Sequence, residues 1–287
     1  MKVLVTGATG NVGSAVLSSL QQRPEILPVA GVRQSEIGGA SGGALSGVAC
    51  RTFDFEDPTT FDQALEGIDL VFLLRPPQIS DIKRYFQPLI RRIKQLGIQQ
   101  VVLLSVQNAE KSNVIPHRKI EKLILEHGLD HIFLRPAYFM ENLTTTLLPE
   151  IHSKRSITLP SGKAEFNWVT VQDIGALAAE MISDFPRFRN QAYTVSGAEN
   201  LSFSQVVERI NRIAGTDITY RSVNPLRYYR IKRQEGEPKG KVLVMLILHF
   251  LPVLQGPPEV SKTYKEVMNT EPTSLEAFIE QHKAQFV

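Results

Sequence analysis

The sequence predicts an α/β protein, a doubly wound parallel sheet covered by helices and followed by a smaller C-terminal lobe. Three observations lead there. Short apolar runs alternate with helical stretches through the first half. A G-x-x-G-x-x-G loop joins the first run to the first helix. Past about residue 135 the alternation loosens.

In order, the runs suited to strands are Lys2–Val5, Pro28–Val32, Val48–Phe53, Asp69–Leu74, Val101–Leu104 and Ile132–Leu134. Helices are expected between them, over Val12–Leu20, Phe61–Leu65, Ile82–Leu96 and Ile115–Glu126. Several runs are apolar at every position, as strands buried on both faces must be, so the sheet is expected to be parallel with right-handed crossovers. The Gly/Ser-rich stretch Ile37–Gly47 reads as a flexible connection inside this unit, because the strand pattern resumes at once. Later, Trp168-Val169-Thr170 leads into a helix from Gln172, and Tyr193-Thr194-Val195 reads as a strand. Ser202 is placed to cap a helix over Phe203–Ile213, whose Val206, Val207, Ile210 and Ile213 share a face. A last helix is expected over Leu275–His282.

Composition excludes several classes. With 287 residues, 43% hydrophobic and 21% charged, the chain is ordinary globular protein of one large domain, or one domain plus an appendage. A net charge of +3 does not imply nucleic acid. The basic stretches Lys83–Lys94 and Arg227–Arg233 read as solvated helix faces around apolar neighbours. The one cysteine, Cys50, excludes an internal disulfide framework, points to a reducing, cytoplasmic setting and reads as a small buried hydrophobe. The apolar start Val3-Leu4-Val5 stops at Thr6-Gly7, too short for a secretory signal. A second apolar stretch, Val242–Leu254, is too short to span a bilayer, which takes ~20 residues; it reads as a buried helix or a lip of a substrate pocket.

The loop Thr6-Gly7-Ala8-Thr9-Gly10-Asn11-Val12-Gly13 carries the clearest chemistry. Gly7 permits a tight turn, Gly10 lets backbone N–H groups approach a pyrophosphate, and Gly13 lets the helix pack on the strand. The helix N-terminus supplies partial positive charge. Arg33 ends the second strand, where an NAD-selective site carries Asp or Glu. A guanidinium there suits a 2′-phosphate, so NADPH is expected over NADH. Asp54 and Phe55, ending the third strand, stand either at an adenine or as an ordinary strand-end acid and its neighbour.

These blocks resemble the NmrA-like family of atypical short-chain dehydrogenases/reductases. The resemblance rests on LVTGATGNVG, the GVR ending at Arg33, LRPAYFMENL (Leu134 to Leu143), WVTVQDIGALAA (Trp168 to Ala179), YTVSGAENLSFSQVVERI and SLEAFIEQH, in that order. It implies a Rossmann-type domain over 1–135, to which about 165–197 return, and a substrate-binding lobe made mostly of 136–287. It also implies cofactor contacts from Leu74, Arg75, Ser105 and Pro136–Phe139, with Tyr138, Asn142 and Trp168 walling the substrate space.

One departure matters. Active short-chain dehydrogenases carry Tyr-x-x-x-Lys on the helix after the fifth strand. Counting back from Glu121, the tyrosine slot here holds Asn113 and the lysine slot His117. The acid–base pair of an epimerase or dehydratase is therefore missing, although Ser105 survives. Relatives with His-x-x-x-Glu resemble quinone oxidoreductases and triphenylmethane reductases, whose hydride acceptors ask for positioning more than for acid catalysis. The expectation is an NADPH-dependent reductase of a quinone or similar conjugated molecule, with His117 and Tyr138 the candidate catalytic residues and His117 also holding the nicotinamide ribose. The rival is a redox-sensing regulator that binds NADP(H) without turnover. Neither a metal, a nucleic acid nor a membrane partner is expected, and the chain is read as monomer or homodimer.

Overall fold

The structure, a computed structural model, describes residues 1–33, 45–113 and 115–287. Val114 and most of the Gly/Ser-rich connection lie outside them. In chain order the elements are β1 (Lys2–Val5), α1 (Asn11–Leu20), β2 (Leu27–Val32), β3 (Ala49–Thr52), α2 (Phe61–Leu65), β4 (Leu70–Leu74), α3 (Ile82–Gln95), β5 (Gln100–Leu104), α4 (Pro116–Glu126) and β6 (Asp130–Pro136). There follow β7 (Tyr138–Phe139), α5 (Leu148–Lys154), β8 (Ser156–Leu159), β9 (Glu165–Val169), α6 (Val171–Ser183), α7 (Phe185–Phe188) and β10 (Gln191–Val195). The chain finishes with β11 (Asn200–Ser202), α8 (Phe203–Ala214), β12 (Thr219–Ser222), α9 (Pro225–Gln234), α10 (Lys239–Gln255), α11 (Thr263–Met268) and α12 (Leu275–Gln281).

These elements fall into two compact units. The first holds Met1–Pro136, Val171–Val195 and Thr263–Thr270; the second holds Ala137–Thr170, Ser196–Lys262 and Glu271–Val287. The return at Thr263–Thr270 has no counterpart in the sequence reading.

In the first unit seven parallel strands stand in the order β10-β6-β5-β4-β1-β2-β3. This is the Rossmann-type doubly wound sheet. Parallel strands covered by helices on both faces must be apolar throughout, and Val3–Val5, Leu70–Leu73 and Val101–Leu103 are all buried. The order reverses between β1 and β4, where the carboxyl ends leave a crevice for ligands. α1 and α6 cover one face together. A Cβ on Gly175 would stand 2.7 Å from the Ala15 backbone, so only glycine allows that crossing. α3 buries Phe86, Leu89, Ile90 and Ile93 and exposes Lys83, Arg84 and Arg91, the solvated face the spacing predicts.

The second unit is built from a three-stranded sheet, β11-β9-β7, and a two-stranded parallel sheet, β12-β8. Ser202 and Gln205 form a reciprocal capping box that starts α8. Tyr138, Phe166, Trp168 and Phe203 pack edge to face in its core, with ring centroids 4.9 to 6.4 Å apart.

Of the two expectations for the second apolar stretch, the buried helix fails, whereas Val242 and Met245 do line a cavity beside Leu147, Leu159 and Tyr228. The apolar stretch Val242–Leu254 does form a helix, α10, but that helix is not buried. Only Val242 and His249 are fully buried, with Met245 and Leu246 half-buried against the core, and Val244, Ile247 and Leu254 are 63%, 63% and 69% exposed. The run is apolar around the whole helix, and a single helix offers only one face to the core beneath it. Among the described residues no helix is long and apolar enough to cross a membrane.

Candidate functional site

The glycine loop lies at the reversal of strand order, at the carboxyl end of β1 beside the end of β4. Gly7 has φ +62°, the left-handed region that favours glycine, and a Cβ there would stand 3.0 Å from Leu74 Cδ2. The Gly10 N–H donates to the Gly7 carbonyl at 3.0 Å and closes the turn. A Cβ on Gly13 would fall inside that same carbonyl, so glycine lets α1 come down onto the loop. Gly10 caps α1 with no side-chain hydrogen bond, and the first turn holds no acidic residue. The positive end of the helix is thus open to an anion, with Thr9, Gly10 and Asn11 exposed and Val12 buried behind them. The donor set and the space fit a pyrophosphate. Thr6 serves the scaffold: it is fully buried, and its Oγ1 accepts from the Leu74 N–H at 2.8 Å and donates to the Phe72 carbonyl at 3.3 Å.

The pairings Val5↔Ala30 and Val32↔Thr52 bring Arg33 and Asp54 to this same sheet edge. Arg33 is exposed, directly past β2. Asp54 is half-buried, and its Oδ1 accepts from the Glu56 N–H at 2.9 Å, which fixes the turn after β3. Phe55 corrects the sequence reading of an adenine platform. It is 5% exposed and packs against Phe53 and Phe86, with ring centroids 4.9 and 4.8 Å away. Chain alternation turns it inward where Asp54 turns outward.

Arg75 follows β4. Its Nη1 donates to the carbonyls of Pro76, Pro77 and Ile79 at 3.0, 3.1 and 2.7 Å, and its Nε donates to His117 Nε2 at 3.4 Å. Guanidinium can only donate, so His117 accepts at Nε2 and carries its proton on Nδ1. Burial, then the Arg75 charge, push the His117 pKa down to about 4, against a raising by Glu121. The imidazole is neutral at physiological pH.

One turn along α4, Glu121 is fully buried and holds four hydrogen bonds. Ser105 Oγ and Arg135 Nε donate to Oε1 at 2.7 and 2.9 Å; Arg135 Nη2 and Arg118 Nη1 donate to Oε2, both at 2.9 Å. Burial opposes its ionisation, but the bonds from Arg135, Ser105 and Arg118 more than reverse that and hold the carboxyl below the usual carboxylate value. Ser105, read from sequence as a surviving cofactor residue, has therefore committed its proton to Glu121. Arg118 and Arg135 escaped the sequence reading; the 118–121 helical spacing was the one visible signal. Asn113, in the vacated tyrosine slot, is exposed and accepts from Lys122 Nζ at 2.8 Å. The Pro136 carbonyl accepts from the Gln107 N–H at 3.0 Å and so closes the end of β6.

Tyr138, Asn142 and Trp168 belong to the second unit. The structure does not present Tyr138 or Trp168 as open surface. Trp168 is 1% exposed and its indole N–H donates to the Leu201 carbonyl at 3.0 Å. The Tyr138 hydroxyl lies 2.9 Å from His249 Nε2, and Asn142 bonds the same phenol. Burial first, and then Tyr228, raise the Tyr138 pKa far above the ordinary phenol value. The β7–β9 pairing Tyr138↔Trp168 accounts for this, because it points both rings into one core. Phe139 and Asn142 are half-buried.

Residues 1–279 match the NmrA-like family. Prestalk A differentiation protein A of Dictyostelium discoideum is 31% identical over 246 residues, 85% of this chain and 80% of that protein. The NAD(P)H azoreductase of Xenophilus azovorans is 27% identical over 99% of each chain. Among solved structures, the NADPH-dependent quinone oxidoreductase QOR2 of Escherichia coli, complexed with NADPH, superposes with a TM-score of 0.87 at 22% identity, over 98% of this chain and 99% of that one.

Proposed function

The chain belongs to the NmrA-like family, and from that premise we propose that it is an NADPH-dependent reductase of a quinone or similar conjugated small molecule. The observation that carries the reading is the Gly7–Gly10–Gly13 cradle where the strand order reverses, with α1 open to a pyrophosphate. Arg33, at the neighbouring strand end, takes the 2′-phosphate and sets the preference for NADPH over NADH. Arg75 and the neutral His117 lie at the end of β4 and the start of α4, where His117 holds the nicotinamide ribose hydroxyls. Substrate recognition falls to the second unit, with Phe139 and Asn142 its half-buried candidates.

Bound NADPH supplies the hydride. The residues present suit an acceptor that needs no acid from the protein. His117 is unprotonated at neutral pH, Ser105 is engaged by Glu121, and Asn113 cannot donate a phenolic proton. Hydride passes without a covalent intermediate, and the reduced product takes its proton from solvent. Relatives lend support, among them an NAD(P)H azoreductase and an NADPH-dependent quinone oxidoreductase. The same absence of Tyr and Lys suits a regulator that binds NADP(H) without turnover, a reading favoured by a relative named for differentiation. Mixing the protein with NADPH and a panel of quinones, azo dyes and triphenylmethane dyes decides between them. Loss of the reduced-nicotinamide absorbance with one acceptor is expected. Tight NADPH binding with no oxidation across the panel overturns the reductase and leaves the regulator.

A further inference from the structure

We infer that α10 docks this protein onto an anionic lipid surface, its outer face entering the boundary between headgroups and acyl chains. The outer face of α10 is Val244, Ile247, Leu248, Leu251 and Leu254, at the i, i+3, i+4, i+7 spacing of one helical stripe, and all five are exposed. Large apolar side chains exposed side by side along one stripe are uncommon on a monomeric protein and mark an interaction surface. A helix apolar on every side is stable only when something covers both faces. Val242 and His249 anchor one side in the core; the other side has no cover among the described residues.

Charge decides the occupant. Residues 220–255 hold seven lysines and arginines against two glutamates, a net of +5, in a chain whose total is +3. Of these, Lys232 is held by Glu150 and Glu235 and Lys241 by Glu237, whereas Arg230, Arg233 and Lys239 are exposed on α9 and at the start of α10. α9 packs beside α10 and carries Leu226, Arg230 and Arg233 on one exposed face at i, i+4, i+7 spacing. Leu226 is 73% exposed. Lys239 and Lys241 stand at the first turn of α10, also exposed. An apolar ridge bordered by exposed arginines and lysines matches the layering of a membrane surface, with acyl chains beneath anionic headgroups. The helix is 17 residues long with Pro252 near its end, and it lies on the surface because spanning takes ~20 apolar residues. A second copy is a poorer fit, because two such faces would bring the two basic borders together.

Flotation of the full-length chain with vesicles tests the docking. With vesicles of equal parts phosphatidylglycerol and phosphatidylcholine, most of the protein floats at low salt. Binding drops about tenfold or more on phosphatidylcholine alone, and likewise when salt is raised. Ile247→Glu with Leu251→Glu removes the ridge, and Arg230→Glu with Arg233→Glu removes the charge. Each lowers binding at least ~tenfold while the melting temperature stays near that of the parent, because all four side chains are at least partly solvent-facing. Failure of the parent chain to float on the anionic vesicles overturns the proposal. So does flotation that neither pair of substitutions reduces. A third overturning result is a stable dimer in sedimentation equilibrium that the Ile247/Leu251 pair converts to monomer, which assigns the face to a second copy.

Discussion

The Tyr138 hydroxyl donates to Nε2 of His249 at 2.9 Å, and the same imidazole donates from Nδ1 to the Met245 carbonyl at 2.8 Å. A carbonyl can only accept, so the proton sits on Nδ1 and the lone pair on Nε2 receives the phenol. The tyrosine that the family motif places by the substrate is thus a fastener between β7 and α10. Tyr138→Phe is expected to cost about 1–3 kcal/mol in urea unfolding, because a buried acceptor loses its donor. Turnover with NADPH and a quinone should change by less than about twofold if the hydroxyl takes no part in the reaction. A loss of turnover with unchanged stability would return Tyr138 to the catalytic machinery.

Acid should weaken the fold through two histidines. Burial pushes His249 down to about 4, and burial with Arg75 does the same to His117. Both folded values lie below the value of 6.5 that marks an unperturbed histidine. Between about pH 6.5 and 4 the unfolded chain binds the extra protons. Stability from these groups is therefore complete above pH 6.5 and is lost as pH falls toward 4. His249, fully buried, accounts for a loss on the order of 3 kcal/mol. Urea midpoints measured across this range should fall with pH, and the fall should be shallower in His249→Gln.

The three glycines of the loop should respond differently to substitution. A Cβ on Gly13 meets the Gly7 backbone, whereas one on Gly10 lies at an exposed position, 3.3 Å from the Gly7 carbonyl oxygen. Gly13→Ala is expected to lose about 1–3 kcal/mol of stability together with nucleotide affinity. Gly10→Val should cost about 1 kcal/mol or less and still abolish NADPH binding by filling the phosphate space. Thermal melts and calorimetric titration separate the two effects; unimpaired NADPH binding by Gly10→Val reduces the loop to a turn.

Arg33→Asp tests the choice of cofactor. A charge-assisted pair of hydrogen bonds to a 2′-phosphate is worth about 1.5–3 kcal/mol, so NADPH affinity should fall tenfold or more. NADH lacks that phosphate and should bind as before or slightly better. Equal losses for both nucleotides would remove Arg33 from the site.

The first 136 residues were legible because of what they bury. Strands covered on both faces have to be continuous apolar runs, and β1, β4 and β5 look like nothing else. Beyond Pro136 the signal fades for physical reasons. β7 has two residues, β11 has three, and β8 pairs with β12 through residues some 60 positions apart, none of which local periodicity records. The glycine loop was readable as chemistry because backbone geometry demands glycine there. The inward turn of Phe55, Tyr138 and Trp168 was not, since their direction follows from pairings that the chain makes only once folded. Likewise the α10 run betrayed its hydrophobicity but not its position on the surface.

Glu121 joins the ends of β5 and β6 to α4 through Ser105, Arg135 and Arg118. Those bonds give the positions on and before α4 unequal freedom to drift. Position 113, exposed before α4, can change singly. Position 121 cannot, because Ser105, Arg118 and Arg135 all donate to it, and a neutral residue there would leave Arg135 with Glu110 alone. Descendants of this chain should keep an acid at 121 for as long as they keep the donors at 105, 118 and 135.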